Sequence, residues 1–208
     1  ETTFPGRNAT YAVEYGMTNG RSATFATAQN NRSGTQLEDF VVTRVKDYAV
    51  VSVDNETLLA ADGNEGSLLD VAKSKTDSAL HALSRAMGRD VFRSGTGSIG
   101  QIHASPSLGN TTVELVAGHA INFEVGMRLK GSATDGSALY SGTLEVTGVD
   151  RDNDVLTVVG NATDSIASLS ADDFLYVEGD FGAKMSGLDA WLPSSVTSDT
   201  FFGVDRTV

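Results

Sequence analysis

Residues 67–92, SLLDVAKSKTDSALHALSRAMGRDVF, carry apolar side chains at the helical period. Leu68, Val71, Ala72, Thr76, Ala79, Leu80, Leu83, Ala86, Met87 and Val91 fall on one side, with Lys73, Lys75, Asp77, Arg85 and Arg89 largely on the other. Ser67 with Asp70 three residues later resembles a capping box at the start, and Gly95 suits the left-handed residue that closes many helices. A helix over this span is ~39 Å long at ~1.5 Å per residue. That is long for a chain of 208 residues, so the helix reads as a spine along which the other elements are arranged.

The helix runs into FRSGTGSIGQI, where Gly95, Gly97 and Gly100 have the G-x-G-x-x-G spacing of a dinucleotide fingerprint. That spacing has chemical meaning only after a strand and before a helix, because the pyrophosphate rests on the helix N-terminus. Here the order is helix, glycines, then IGQIHASP, a β-branched stretch stopped by Pro106. The glycines therefore read as a turn, and no cofactor is expected.

Other chemistries fail on the residues they require. The chain has no Cys, so disulfides, thiol nucleophiles and thiolate zinc sites are excluded. His81, His103 and His119 have no metal-binding spacing, and no G-x-S-x-G elbow supports a Ser-His-Asp triad. Asp150, Asp152 and Asp154 match the first three ligand positions of a calcium loop, but Val155 stands where glycine is needed and Asn161 where a bidentate Glu is needed. DRDND reads instead as a turn between the strands GTLEVTGV and VLTVVG. No catalytic residue and no metal site is expected, and the chain does not read as an enzyme. The net charge of −12, with 15 scattered basic residues, argues against a duplex-binding surface. No apolar run approaches the ~18 residues of a membrane span, so no membrane partner is expected. Five N-x-S/T triplets, at Asn8, Asn31, Asn55, Asn110 and Asn161, mark polar turns.

Short strand patterns precede the helix. ATYAVEYGM, then Asn19-Gly20, then RSATFATAQ predict a long two-stranded arm with a tight primed turn, since both central residues of such a turn need positive φ. Its thin apolar content, Tyr11, Val13, Tyr15, Met17 and Phe25, leaves it marginal unless it rests on another surface, such as a second subunit. Residues 37–61 read as one long strand with a wet face. Beyond Pro106, residues 107–180 hold TTVELVAG, MRLKG, SALYSGTLEVTGVD, DVLTVVG and DFLYVEGD, spaced as in a small all-β barrel or sandwich. The start at Glu1 and the end just after FFGV read as those of a processed or trimmed piece of a longer chain.

The arm, EDFVVTRVKDYAVVSVDNETLLAA, the helix with ALHALSRAMGRDVFRSGTGSIGQI, and later VEGDFGAKMSGLDAWLPSS and FFGVDRT resemble, in that order, the major capsid proteins of tailed bacteriophages with the Hong Kong 97-type fold. The resemblance covers residues 7–105 and 178–207. It implies an α+β fold: an N-terminal segment and extended β-hairpin or E-loop (1–38), a peripheral domain with a long strand and spine helix (39–106), an inserted β-rich domain (107–180), and a truncated return to the capsid core (181–208). It implies self-assembly into hexamers and pentamers of an icosahedral shell in the cytoplasm of a bacterial host. Portal, scaffold or decoration proteins would be partners, and nucleic acid would not be bound sequence-specifically. Intersubunit contacts would fall on the arm, at Arg7, Tyr11, Asn19, Gly20, Arg21 and Arg32. The family's axial domain and N-terminal arm are absent from this sequence. Residues 7–38 contain no Lys, so shell crosslinking through an arm lysine is not implied. The competing class is an acidic, β-rich surface or adhesion module that binds a glycan or protein through aromatic residues Phe123, Tyr140, Phe174 and Tyr176.

Overall fold

The computed structural model describes residues 6–52, 71–108, 110–195 and 198–206. In chain order its elements are β1 (Asn8–Gly16), α1 (Phe25–Asn30), β2 (Gln36–Thr43), α2 (Val71–Asp90), β3 (Ser98–Gln101), β4 (Thr112–Glu114), a 3-10 turn (His119–Asn122), β5 (Arg128–Ser132), β6 (Leu144–Asp150), β7 (Val155–Val158), α3 (Ala162–Ser165), β8 (Phe174–Val177), α4 (Leu188–Trp191), β9 (Thr200–Phe201) and β10 (Val204–Asp205). The fold is mixed α+β, with a six-stranded antiparallel sheet and two hairpins. The chain divides into two units, 1–45 with 193–208 and 46–192.

In the larger unit the sheet order is β3-β8-β5-β6-β7-β4, and every neighbouring pair is antiparallel. The two edge strands meet through an Ile102↔Leu115 bridge, with the His103 N–H donating to the Glu114 carbonyl at 3.0 Å and the Val116 N–H to the Gln101 carbonyl at 2.9 Å. Alternation decides the inside: Leu129 on β5, Leu144 and Val146 on β6, Leu156 and Val158 on β7 and Leu175 on β8 are buried. Phe123, Ile99, Ile102 and Ile166 complete one cluster. At about 1.5–3 kcal/mol for each large apolar side chain buried, this cluster is the main source of stability in the unit. The strand patterns read between 107 and 180 all appear here, and β3, from the segment after the glycines, pairs into the same sheet.

DRDND is the turn between β6 and β7, as the sequence predicts. Its acids are not merely solvated. The Asp150 carboxylate accepts the Asp152 and Asn153 N–H groups, and Asp154 reaches back to accept those of Gly118 at 2.9 Å and Ala120 at 3.0 Å.

The spine helix ends at Asp90 and is ~30 Å long at ~1.5 Å per residue. Its expected start at Ser67 lies outside the described residues. The glycine turn follows it and leads into β3, the order read from the sequence. Gly95 and Gly97 have φ of +87° and +94°, and a Cβ on Gly97 would strike the Asp180 carbonyl. A Cβ on Gly100 would lie 2.7 Å from the Phe123 ring. The spacing thus serves close packing of the turn and of β3.

The smaller unit holds the β1–β2 hairpin and the short β9–β10 hairpin. β1 runs antiparallel to β2 from Asn8↔Thr43 to Glu14↔Leu37, with a bulge before Gly16↔Gln36. The arm therefore exists, but its strands differ from the sequence reading in three ways. Asn19-Gly20 is not a two-residue primed turn: the Asn19 N–H donates to Ser33 Oγ and the Ser33 N–H to the Asn19 carbonyl, so 17–35 forms a wide tip. RSATFATAQ is not the return strand, because Phe25–Asn30 is helical. Gln36–Thr43 is the return strand, and it ends where its partner ends, so 44–52 has no regular structure and 37–61 is not one long strand. Residues 53–61 of that expectation lie outside the described residues.

Candidate assembly surface

The sheet geometry of the arm sorts its side chains onto two faces. Tyr11, Val13 and Tyr15 alternate on β1, with Phe40 opposite Tyr11 and Val42 opposite Ala9. Among the described residues this face is covered at its base. There the Val41 N–H donates to the Phe202 carbonyl at 2.7 Å, and Phe40 packs against Phe202 with ring centroids 5.1 Å apart. Toward the tip the apolar groups lie open: Tyr11 is 49% exposed, and Met17 and Phe25 are each 84% exposed. Ala9 is the one buried apolar residue among those described in β1, α1 and β2.

The six residues expected at intersubunit contacts are spread along this arm and do not converge. Arg7 is exposed beside the base, and its carbonyl accepts the Arg44 N–H. Tyr11 sits mid-strand on the apolar face. Asn19, Arg21 and Arg32 are exposed at the tip, where Arg32 Nε donates to the Gln29 carbonyl. Gly20 is half-buried, with the Ala28 carbonyl and Arg32 near the place its Cβ would occupy.

A second open surface was not foreseen. On the apolar stripe of α2, Leu80 is 59% exposed and Met87 is also exposed, with Ala79, Leu83 and Ala86 half-buried. A groove of about 960 Å³ runs along this helix, lined in part by Tyr48, Val50, Leu83, Ile121 and Met127. Periodicity reveals which face of a helix is apolar but not whether the same chain covers it.

The helix is held at its C-terminal end by a cluster of charged groups around the buried Asp90. Lys184 Nζ lies 2.7 Å from Asp47, 3.2 Å from Asp180 and 3.8 Å from Asp90, and Arg89 pairs with Asp90 at 3.2 Å. Burial opposes the Lys184 charge, but Asp47 and Asp180 outweigh it and raise its pKa. Burial raises that of Asp180. Nearby, Asp135 accepts hydrogen bonds from Ser94 at 2.9 Å, Thr96 at 2.5 Å and the buried Tyr176 hydroxyl at 3.0 Å. Neither cluster was signalled by sequence spacing, since Lys184, Asp47 and Asp90 meet only in three dimensions.

The histidines remain apart. His81 and His103 are exposed, while His119 Nδ1 accepts the Gln101 N–H at 2.9 Å and has its pKa lowered by burial and Arg93. Among the described residues no group of three or more His, Asp or Glu is arranged to hold a metal ion. No described helix is long and apolar enough to cross a membrane. Of the four aromatic residues considered for ligand binding, Phe123 and Tyr176 are buried, Tyr140 is half-buried with its hydroxyl on Asp173, and Phe174 is half-buried. No family model, curated protein or solved structure matches this chain.

Proposed function

We propose that the chain is a structural shell subunit, the major capsid protein of a tailed phage with a Hong Kong 97-type fold. In this reading β1 and β2 form the extended arm and α2 is the spine helix. The six-stranded sheet is a small barrel inserted between the spine and the return to the capsid core. Copies assemble into hexamers and pentamers around the genome, in the cytoplasm of a bacterial host.

One observation carries the reading: large apolar side chains lie open over the arm (Met17 and Phe25), the 44–52 segment (Tyr48 and Val50) and α2 (Leu80 and Met87). Large open apolar surfaces are where soluble chains associate, and repeated weak contacts give a stable assembly when symmetry closes them. A strongly acidic chain also suits a container, because it repels the nucleic acid it encloses.

The test is negative-stain electron microscopy with sedimentation velocity, on the chain within its full-length protein. A second variant replaces residues 17–35 by a short Gly-Ser turn joining Gly16 to Gln36. The expected outcome is shells or sheets with hexameric and pentameric units, lost in the variant while circular dichroism still reports the folded sheet. A persistent monomer, or assembly unchanged by removal of the tip, would overturn the reading. Saturable glycan binding by that monomer would establish the adhesion-module class instead.

A further inference from the structure

β1 has one partnered edge. On its other side, among the described residues, no strand pairs with it. Proteins commonly protect such an edge with Lys, Pro or repeated charge. Asn8–Gly16 has neither Lys nor Pro and only one charged residue, Glu14. The single irregularity is the bulge after Glu14, which leaves Asn8–Glu14 as a straight ladder. A two-stranded hairpin is marginal in water, and three or more strands are needed for independent stability. A protein segment that matches this row of backbone donors and acceptors in place of water is another extended strand.

Charge and pattern select the strand. Residues 6–45 contain four arginines (Arg7, Arg21, Arg32, Arg44) and three acids (Glu14, Glu38, Asp39), whereas the whole chain carries −12. Two copies therefore meet with least repulsion at the arm. The straight ladder is also self-complementary about Tyr11. Antiparallel pairing there sets Asn8 opposite Glu14, Ala9 opposite Val13 and Tyr11 opposite its own copy, with no like charges facing. Facing residues share a face of the sheet, so the apolar stripe becomes continuous across the axis. We infer that β1 pairs edge to edge, antiparallel and centred on Tyr11, with β1 of a second copy of this chain, joining two hairpins into a four-stranded sheet. The pairing does not depend on the shell reading.

Because the chain has no cysteine, single substitutions report the contact cleanly. In this register residue 10 of one copy faces residue 12 of the other, within the ~4.5–5.5 Å Cα separation that a disulfide accepts. Like positions are offset by two residues and lie too far apart. Thr10→Cys and Ala12→Cys chains, tagged to differ in mass, are mixed and mildly oxidised, with Ser105→Cys as the exposed control. The expected result is a mixed disulfide dimer about tenfold more abundant than either like dimer or the control. A mixed dimer no more abundant than these overturns the pairing. So does shell formation without it, which would leave the shell reading standing. A mixed dimer without shells supports the pairing and removes that reading.

Discussion

Tyr176 allows the buried polar network to be tested quantitatively. Its ring is fully buried and meets Phe181 edge to face at 5.4 Å, while its hydroxyl donates to Asp135 and accepts the Gly136 N–H at 2.9 Å. Burial, opposed by the Gly136 contact and reinforced by the Asp135 charge, pushes its pKa up to about 12. The unfolded tyrosine ionises near ~10. A group whose folded pKa is raised contributes fully below the unfolded value, and its contribution falls as pH rises from there toward the folded value. At pH 11 the loss is about 1.4 kcal/mol, one pKa unit's worth. Tyr176→Phe keeps the ring and removes the titration, leaving Gly136 without its acceptor at a cost of about 1–2 kcal/mol at neutral pH. Urea unfolding followed by circular dichroism at pH 8 and pH 11 should therefore show the wild-type advantage shrinking by about 1.4 kcal/mol. Tyr140, whose pKa is also raised by burial and Asp173, is present in both proteins and cancels. An advantage unchanged between the two pH values would refute the assignment of a buried, neutral Tyr176 to this network.

Lys184→Met should destabilise the larger unit by about 3 kcal/mol, because it leaves Asp90 and Asp180 with little water and no lysine; adding Asp90→Asn should recover part of the loss, as read by thermal unfolding. The Gly118 and Ala120 N–H groups hold the Asp154 pKa below its ordinary value. Its stabilisation is present above the unfolded carboxylate value and is lost as pH falls through the lower folded value. Asp154→Asn should therefore flatten the acid limb of the stability profile, and an unaltered limb between pH 5 and pH 2 would count against the contact.

What could be read from the sequence depended on whether a local pattern met a partner within the same chain. Leu144, Val146, Leu156 and Val158 alternate because they line one interior, and the strands of 107–180 were legible for that reason. The glycine turn was legible because its flanks fixed the order helix, glycines, strand. The arm tip was not. RSATFATAQ alternates weakly, but with no strand beside it Phe25–Asn30 closes local helical bonds, such as the Asn31 N–H to the Thr27 carbonyl. The strand read over 37–61 stops at Thr43 because its partner stops at Asn8. Lys184, Asp47 and Asp90 lie far apart in sequence, and no spacing rule links them.

The larger unit separates anchoring from exposure along one helix. At the C-terminal end of α2, Asp90 is 6% exposed and tied to Lys184, and Arg93 just beyond it donates to the Ile99 carbonyl at 3.2 Å. Arg85 pairs with Glu124 beside the 3-10 turn. These contacts are directional and set the angle at which the helix leaves the sheet, whereas apolar packing alone tolerates rotation and slip. Leu80, one helical turn and more before Arg85, is left largely in water, forgoing much of the about 1.5–3 kcal/mol that burial of such a side chain returns. On the proposed shell reading, a helix anchored at one end, with Leu80 and Met87 exposed on its apolar stripe, offers a contact that symmetry can repeat between subunits. On that reading the anchor sets the orientation of the stripe, and a neighbouring subunit that covered Leu80 would recover the burial free energy it forgoes.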